Sequence, residues 1–155
     1  MTLVIEECSP SDTKVKSLLD CLSNELFRIT GNDGTASFSD DEVLVERSVL
    51  LVAVANGQAV GCGGLRPITD EVCEIKRMYA KYRGQGIGSA ILHKLEDYAR
   101  TFDYKAIWLE TRKVNEQAVR FYLGQGYRER SNYGKYIGRS EAICFEKDII
   151  AEPDQ

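Results

Sequence analysis

The stretch Tyr82-Arg-Gly-Gln-Gly-Ile-Gly-Ser-Ala-Ile-Leu92 sets glycines at alternate positions and then runs into an apolar, helix-favouring sequence. Glycine lets the backbone turn sharply and approach a ligand closely. A helix that begins just beyond it aims its free N–H groups and the positive end of its dipole at the loop. Such an arrangement suits phosphate. Two common phosphate sites are excluded by spacing. A dinucleotide fingerprint needs G-x-G-x-x-G, but Gly84 and Gly86 are followed by Ser89 where its last glycine belongs, and no lysine follows Gly88 as a nucleotide-hydrolysing P-loop requires.

The other reactive side chains offer less. Cys8, Cys21, Cys62, Cys73 and Cys144 are scattered, odd in number and never in C-x-x-C spacing, which argues against a zinc site or a disulfide scaffold. A cysteine nucleophile would need a histidine base, and the one histidine, His93, stands inside a helical pattern. The cysteines read as reduced core residues and His93 as a surface or boundary residue. A net charge of -4 with no lysine or arginine run leaves no nucleic-acid footprint. The N-terminus lacks the basic and apolar regions of a signal peptide, and no apolar run could span a bilayer, so a cytoplasmic protein without membrane contact is expected.

A chain of 155 residues can bury about two thirds of the surface its unfolded form exposes, so one domain over 1–150 is expected, with 151–155 a flexible polar tail. Leu3–Ile5 reads as a strand, and Ser9–Asp12 offers an N-cap for a helix carrying Val15, Leu18, Leu19, Leu22 and Leu26. A short helix is expected over Ser39–Arg47. Val49–Ala55 and Gln58–Leu65 flank Asn56-Gly57, the favoured pair of a two-residue hairpin turn, and Pro67 ends that arm. Val72–Ala80 reads as a third antiparallel strand feeding the glycine loop. From Ile87 the residues Ile91, Leu95, Tyr98, Ala99 and Phe102 follow a helical period. Lys105–Thr111 is a strand that the helical crossover allows to run parallel to the one before the loop. A helix over Asn115–Gly124 and strands near Gly126–Tyr133 and Glu141–Ile149 complete the chain. The result is an α/β protein with a mixed, mostly antiparallel central sheet of about seven strands and helices on both faces.

Arg83-Gly84-Gln85-Gly86-Ile87-Gly88 meets the signature [RQ]-x-x-G-x-[GA]. Trp108-Leu-Glu-Thr111 and Asn115-Glu-Gln-Ala-Val-Arg-Phe-Tyr122, with Gly126-Tyr127 beyond, follow in the matching order. On these motifs the C-terminal half of the chain resembles the GNAT superfamily of acyl-CoA-dependent N-acetyltransferases. The resemblance implies the acyl-CoA N-acyltransferase fold and acetyl-CoA as co-substrate, with no metal. Its pyrophosphate would be cupped by the backbone of Gly84, Gln85, Gly86, Ile87 and Gly88 and by Ser89, with Arg83 adding charge at the rim. Backbone groups of Met78 and Ala80 would take the pantetheine arm, and Asn115 would hydrogen-bond it. The connection Ala80-Lys81-Tyr82-Arg83 is about two residues shorter than is usual in the family.

An amine attacks a thioester only as its free base, so the reaction needs a proton acceptor. The resemblance nominates Glu74, with Glu110 on the neighbouring strand as competitor and a strand-end ion pair as the alternative role for either. Tyr122 would protonate the departing thiolate. The resemblance places the acceptor pocket at the segments Phe27–Gly34 and Asn132–Gly138, and Arg28, Arg66 and Lys76 are candidates to hold a carboxylate or to sit in salt bridges. A primary amine on a small molecule is the expected acceptor, attacking directly in a ternary complex. Transfer to a peptide or protein amine, or a non-catalytic acetyl-CoA-binding module, are the alternatives, and a homodimer is one assembly open to the chain.

Overall fold

The computed structural model describes residues 2–9, 11–30 and 45–149. Seven strands form one sheet: β1 (Val4–Glu7), β2 (Val49–Ala55), β3 (Gln58–Pro67), β4 (Val72–Ala80), β5 (Ala106–Arg112), β6 (Arg128–Arg130) and β7 (Ala142–Asp148). Their order is β1-β2-β3-β4-β5-β7-β6, and the β4/β5 pair alone is parallel. Among the described residues there are three α-helices, α1 (Thr13–Thr30), α2 (Ile87–Thr101) and α3 (Glu116–Gly124), and a 3-10 turn at Gly134–Tyr136. This matches the expected mixed sheet and its element order. The short helix expected over Ser39–Arg47 falls largely outside the described residues. Its last part, Val45–Arg47, is a bend and turn instead, with Arg47 at φ 58°. There Arg47 donates to the Phe102 carbonyl at the C-terminal end of α2 and lies 4.1 Å over the Tyr104 ring, placing a cation where the helix dipole favours one.

Local chemistry explains the central hairpin. Asn56 and Gly57 both take positive φ, 52° and 76°, the backbone that matches a two-residue turn to twisted strands. β2 and β3 emerge as almost wholly buried strands. On one face Ile87, Ile91, Leu92, Leu95 and Ala99 of α2 pack against Leu51, Val60, Leu65, Ile75, Ile107, Leu109 and Phe145. On the other, Val15, Leu18 and Leu19 of α1 cover Leu50, Val52 and Cys62. A third, smaller cluster of Tyr133, Tyr136, Ala142 and Cys144 lies with Trp108 on the side of the sheet away from α2.

Two details of packing shape the sheet around α2. The first is a close approach: β3 passes beneath the helix as Gly61-Cys62-Gly63. A Cβ on Gly61 would come within 2.6 Å of Ile87 and 2.9 Å of the Tyr79 carbonyl oxygen, so the absence of side chains lets the first turn of α2 lie close on the sheet. The second is a bulge in β4. Gly64 pairs with Lys76 but Cys62 with Tyr79, so three steps along β4 match two along β3, and Arg77 sits at φ 59°. A bulge bends its strand and increases the local twist. Cys73 and Ile75 before it, and Met78 and Ala80 after it, all face the α2 core, while Glu74, Lys76 and Tyr79 face the other way.

Candidate active site

β4 and β5 pair only from Val72 with Ala106 to Glu74 with Trp108. Beyond that point β4 continues to Ala80 paired to β3, and β5 continues to Arg112 paired to β7, but they no longer pair with each other. The sheet is therefore split open along the β4 edge from Ile75 to Ala80. Met78 and Ala80, expected from sequence to meet an extended arm, lie on this unpaired edge, where an extended group could add to the strand by backbone hydrogen bonds.

At the end of the split the chain crosses the glycine loop into α2. Gly84 and Gly86 take positive φ, 72° and 76°, and Gly86 is the N-cap without any side-chain cap. The first bond of the helix ladder runs from the Ala90 N–H to the Gly86 carbonyl, which leaves the N–H groups of Ile87, Gly88 and Ser89 without helical partners. Arg83, Gly84, Gln85 and Gly86 are exposed, and nothing lies within 4 Å of where a Cβ would stand on Gly84 or Gly86. The loop is thus an open cradle of N–H groups, a geometry suited to an anion. Gly88 differs: its Cβ position lies 3.4 Å from the Phe121 ring, so this glycine sets the approach of α3 to α2. Gly86→Val is expected to weaken coenzyme A binding by about 10-fold or more, since φ 76° strains a β-branched residue and the new side chain fills the cradle. Calorimetric titration of the folded variant checks this.

The two candidate bases have unlike surroundings. Glu74 is buried with both oxygens engaged: Oε1 accepts from Arg66 at 2.9 Å, with Lys76 Nζ at 3.9 Å, and Oε2 accepts from the Tyr133 hydroxyl. Arg66 stands directly opposite Glu74 in the β3/β4 register, so its salt bridge is an ordinary cross-strand pair. Lys76 also donates to the Tyr136 hydroxyl at 2.8 Å. Glu74 is thus held in a buried network in which each oxygen accepts one hydrogen bond, the ion-paired surroundings named as the alternative role for it. Glu110 sits two residues beyond Trp108, on the same side of β5 as the Glu74 network. Its side chain is 10% exposed, Arg112 Nε lies 3.8 Å from Oε1, and its carboxylate accepts no hydrogen bond among the described residues. Burial pushes its pKa up against the opposing pull of Arg112 and Lys76. A desolvated carboxylate of raised basicity is what a general base requires.

α3 brings Asn115 and Tyr122 to the other side of the sheet. Asn115 Oδ1 accepts from the Ala118 N–H at 3.3 Å, capping the helix. That oxygen holds the cap, and the amide nitrogen makes no hydrogen bond among the described residues. Tyr122 is 7% exposed, packed against Phe121, Tyr127 and Phe145, and its hydroxyl makes no hydrogen bond among the described residues. Burial raises its pKa and keeps the phenol protonated, the form that can donate. Cys8, Cys62 and Cys73 do not compete as nucleophiles: burial pushes their thiols up to about 12, far from the thiolate.

Sequence reasoning did not find Tyr133 and Tyr136 individually. Their rings lie 5.4 Å apart, and the Tyr133 ring packs tilted against Trp108 with centroids 5.1 Å apart. Asn132 Nδ2 ties the loop by donating to the Tyr136 and Arg139 carbonyls. The available signal was the pair of tyrosines three residues apart between two strands. The Arg66–Glu74 pair could have been read from the short turn after Pro67.

An open sheet split between parallel β4 and β5, with a helix N-terminus at its mouth, is the architecture of the acyl-CoA N-acyltransferase fold. The chain belongs to the acetyltransferase (GNAT) family, whose model matches residues 17–127. It is 36% identical over 102 residues to an IAA acetyltransferase of Azospirillum brasilense, covering 64% of this chain and 67% of that one. It is 31% identical over 102 residues to N-acetyltransferase 8B of Mus musculus, covering 61% of this chain and 44% of the mouse protein, so the match spans less than half of that relative's length. Among solved structures, an aminoglycoside 6'-N-acetyltransferase complexed with coenzyme A superposes with TM-score 0.74 at 19% identity, covering 97% of this chain and 99% of that one.

Proposed function

We propose that the chain transfers an acetyl group from acetyl-CoA to a primary amine on a small molecule, by direct attack in a ternary complex. The observation that carries this reading is the split sheet, with Glu110 on one face of it and Tyr122 on the other. Acetyl-CoA would lay its pyrophosphate on the free N–H groups of Ile87, Gly88 and Ser89, with Arg83 at the rim, and its pantetheine arm along β4. The Azospirillum and mouse relatives are named as acetyltransferases, and the aminoglycoside enzyme holds coenzyme A, which supports the same donor here.

An ammonium entering from the Trp108 side meets the carboxylate of Glu110, which takes one proton, directly or through a water molecule. The neutral amine then attacks the thioester carbon. A C–N bond forms as the carbonyl π pair moves onto oxygen, where a backbone N–H near Met78 stabilises the developing charge. Collapse breaks the C–S bond, and the Tyr122 phenol gives its proton to the leaving sulfur. The amide nitrogen sheds its second proton to solvent, Glu110 releases the first and the Tyr122 phenolate recovers one, so the products are an N-acetyl amine, free coenzyme A thiol and one net proton. The anchored loop of Tyr133 and Tyr136 walls the acceptor side, which favours a small acceptor over a peptide lying in an open groove.

A thiol-release assay across small primary amines and peptide amines, paired with calorimetry of coenzyme A, tests the reading. Coenzyme A binding with turnover of at least one small amine is the expected result. Binding without turnover on any amine would make the protein a sensor or docking module, and turnover of peptide amines alone would remove the small-molecule clause.

A further inference from the structure

Gln125 follows α3 as its C-cap and is held firmly at the main chain. Its N–H bonds to the Phe121 and Tyr122 carbonyls, both at 3.1 Å, and its own carbonyl accepts from Lys147 Nζ at 3.1 Å. Lys147 is fixed in turn by buried Glu96 at 3.0 Å. From this anchored backbone the side chain reaches across to α2 and bridges two residues one turn apart on that helix. Gln125 Nε2 lies 2.7 Å from Ser89 Oγ, and Gln125 Oε1 lies 3.0 Å from His93 Nε2. Ser89 is the third residue of α2, and its N–H is among those left open toward the glycine loop.

We propose that Gln125 is a positioning residue for the pyrophosphate of coenzyme A, acting through Ser89. The inference rests on the reading of the loop as the pyrophosphate cradle. A carboxamide has one accepting end and one donating end. With Oε1 on His93, the imidazole must carry its hydrogen on Nε2, and in that tautomer the NH₂ faces Ser89, whose oxygen accepts from it. A hydroxyl that has accepted in this way has its own hydrogen left to donate, and the open partner is the anion held by the same helix turn. Without the amide, the hydroxyl is free to back-bond to a carbonyl one turn earlier in its own chain, the usual local habit of serine in a helix, and it then offers the phosphate a lone pair. Gln125 thus selects the donating rotamer, and the imidazole of His93 selects the orientation of Gln125. Thiol chemistry and proton transfer at the thioester lie outside this relay, so it bears on affinity and not on the chemical step.

A double-mutant cycle with Gln125→Met and Ser89→Ala tests the relay by calorimetry. The ligands are coenzyme A and pantetheine, which lacks the pyrophosphate, and thermal melts confirm that each variant is folded. Ser89→Ala is expected to weaken coenzyme A by about 10-fold or more, as for loss of a hydrogen bond to a charged group. Gln125→Met should weaken it by about 3- to 10-fold, with pantetheine unaffected, and should add nothing in the Ser89→Ala background. Equal losses in both backgrounds, or an equal loss for pantetheine, would reduce Gln125 to a packing role and overturn the proposal. So would an unchanged affinity for either single variant. Should Gln125→Met fail to fold, Gln125→Asn, one methylene too short to span both partners, replaces it. Failure of the wild-type protein to bind coenzyme A would overturn the functional reading itself, an outcome distinct from failure of the relay.

Discussion

Glu110→Gln is expected to lower the acetylation rate near pH 7 by about 10²- to 10⁴-fold, and the loss should shrink as pH approaches the pKa of the acceptor amine. Without a base, only the small free-base fraction of the amine can react, and that fraction grows with pH. The same substitution should leave the melting temperature at neutral pH unchanged or raised. Burial raises the Glu110 pKa in the fold, so the native state holds that proton more tightly than the unfolded chain. Stability therefore falls as pH climbs from the unfolded to the native pKa, and above the latter the whole cost is present. Glutamine removes a charge that the fold pays to bury. Glu74→Gln should give the opposite pattern, because it leaves Arg66 and Lys76 facing a neutral group and breaks a buried pair, a loss of about 3 kcal/mol. Its melting temperature should drop, while the pH profile of what remains folded keeps its wild-type form. Rate profiles from pH 6 to 10 with parallel melts separate the two. A wild-type profile for Glu110→Gln with a lost neutral-pH rate for Glu74→Gln would move the base to β4.

Tyr122→Phe should lower kcat by about 10- to 1000-fold while the affinity for acetyl-CoA stays within about twofold, since a general acid acts on the transition state alone. The substitution is well suited to the site. The Tyr122 hydroxyl has no hydrogen-bond partner to orphan among the described residues, and the ring keeps its contacts with Phe121, Tyr127 and Phe145. Unlike Glu110→Gln, this variant should not recover at high pH, because the missing proton belongs to the leaving group. Stopped-flow or steady-state thiol release with calorimetric affinity measures both quantities. A normal kcat would return Tyr122 to the role of a core aromatic.

Much of the fold was legible because the punctuation is local. Asn56-Gly57, Pro67, the glycines before Ile87 and the N-capping Asn115 each end or begin an element through their own backbone chemistry, and β3, β4, α2 and α3 fall within a residue or two of expectation. The loop was legible for the same reason. The surroundings of the two carboxylates were not, because they depend on partners supplied from elsewhere: Arg66 from β3 and Tyr133 from beyond α3 both converge on Glu74. Likewise, Gln125 and His93 lie 32 residues apart and meet only through the packing of α3 against α2. The break in β4 was written in the sequence as two adjacent cations, Lys76-Arg77, where strict alternation allows one.

That break has a consequence best put in the language of crystals. Arg77 is an extra site inserted into one row of an otherwise regular lattice, and like an edge dislocation it lets neighbouring rows part. Removing the inserted residue would leave Ile75 inward, Lys76 outward, Met78 inward and Tyr79 outward, so every side chain on the strand would keep its face. What would go is the bend that accompanies the split from β5. A more regular sheet is thereby within one deletion of this one, and it would lack the bend that here lies beside the opening between β4 and β5.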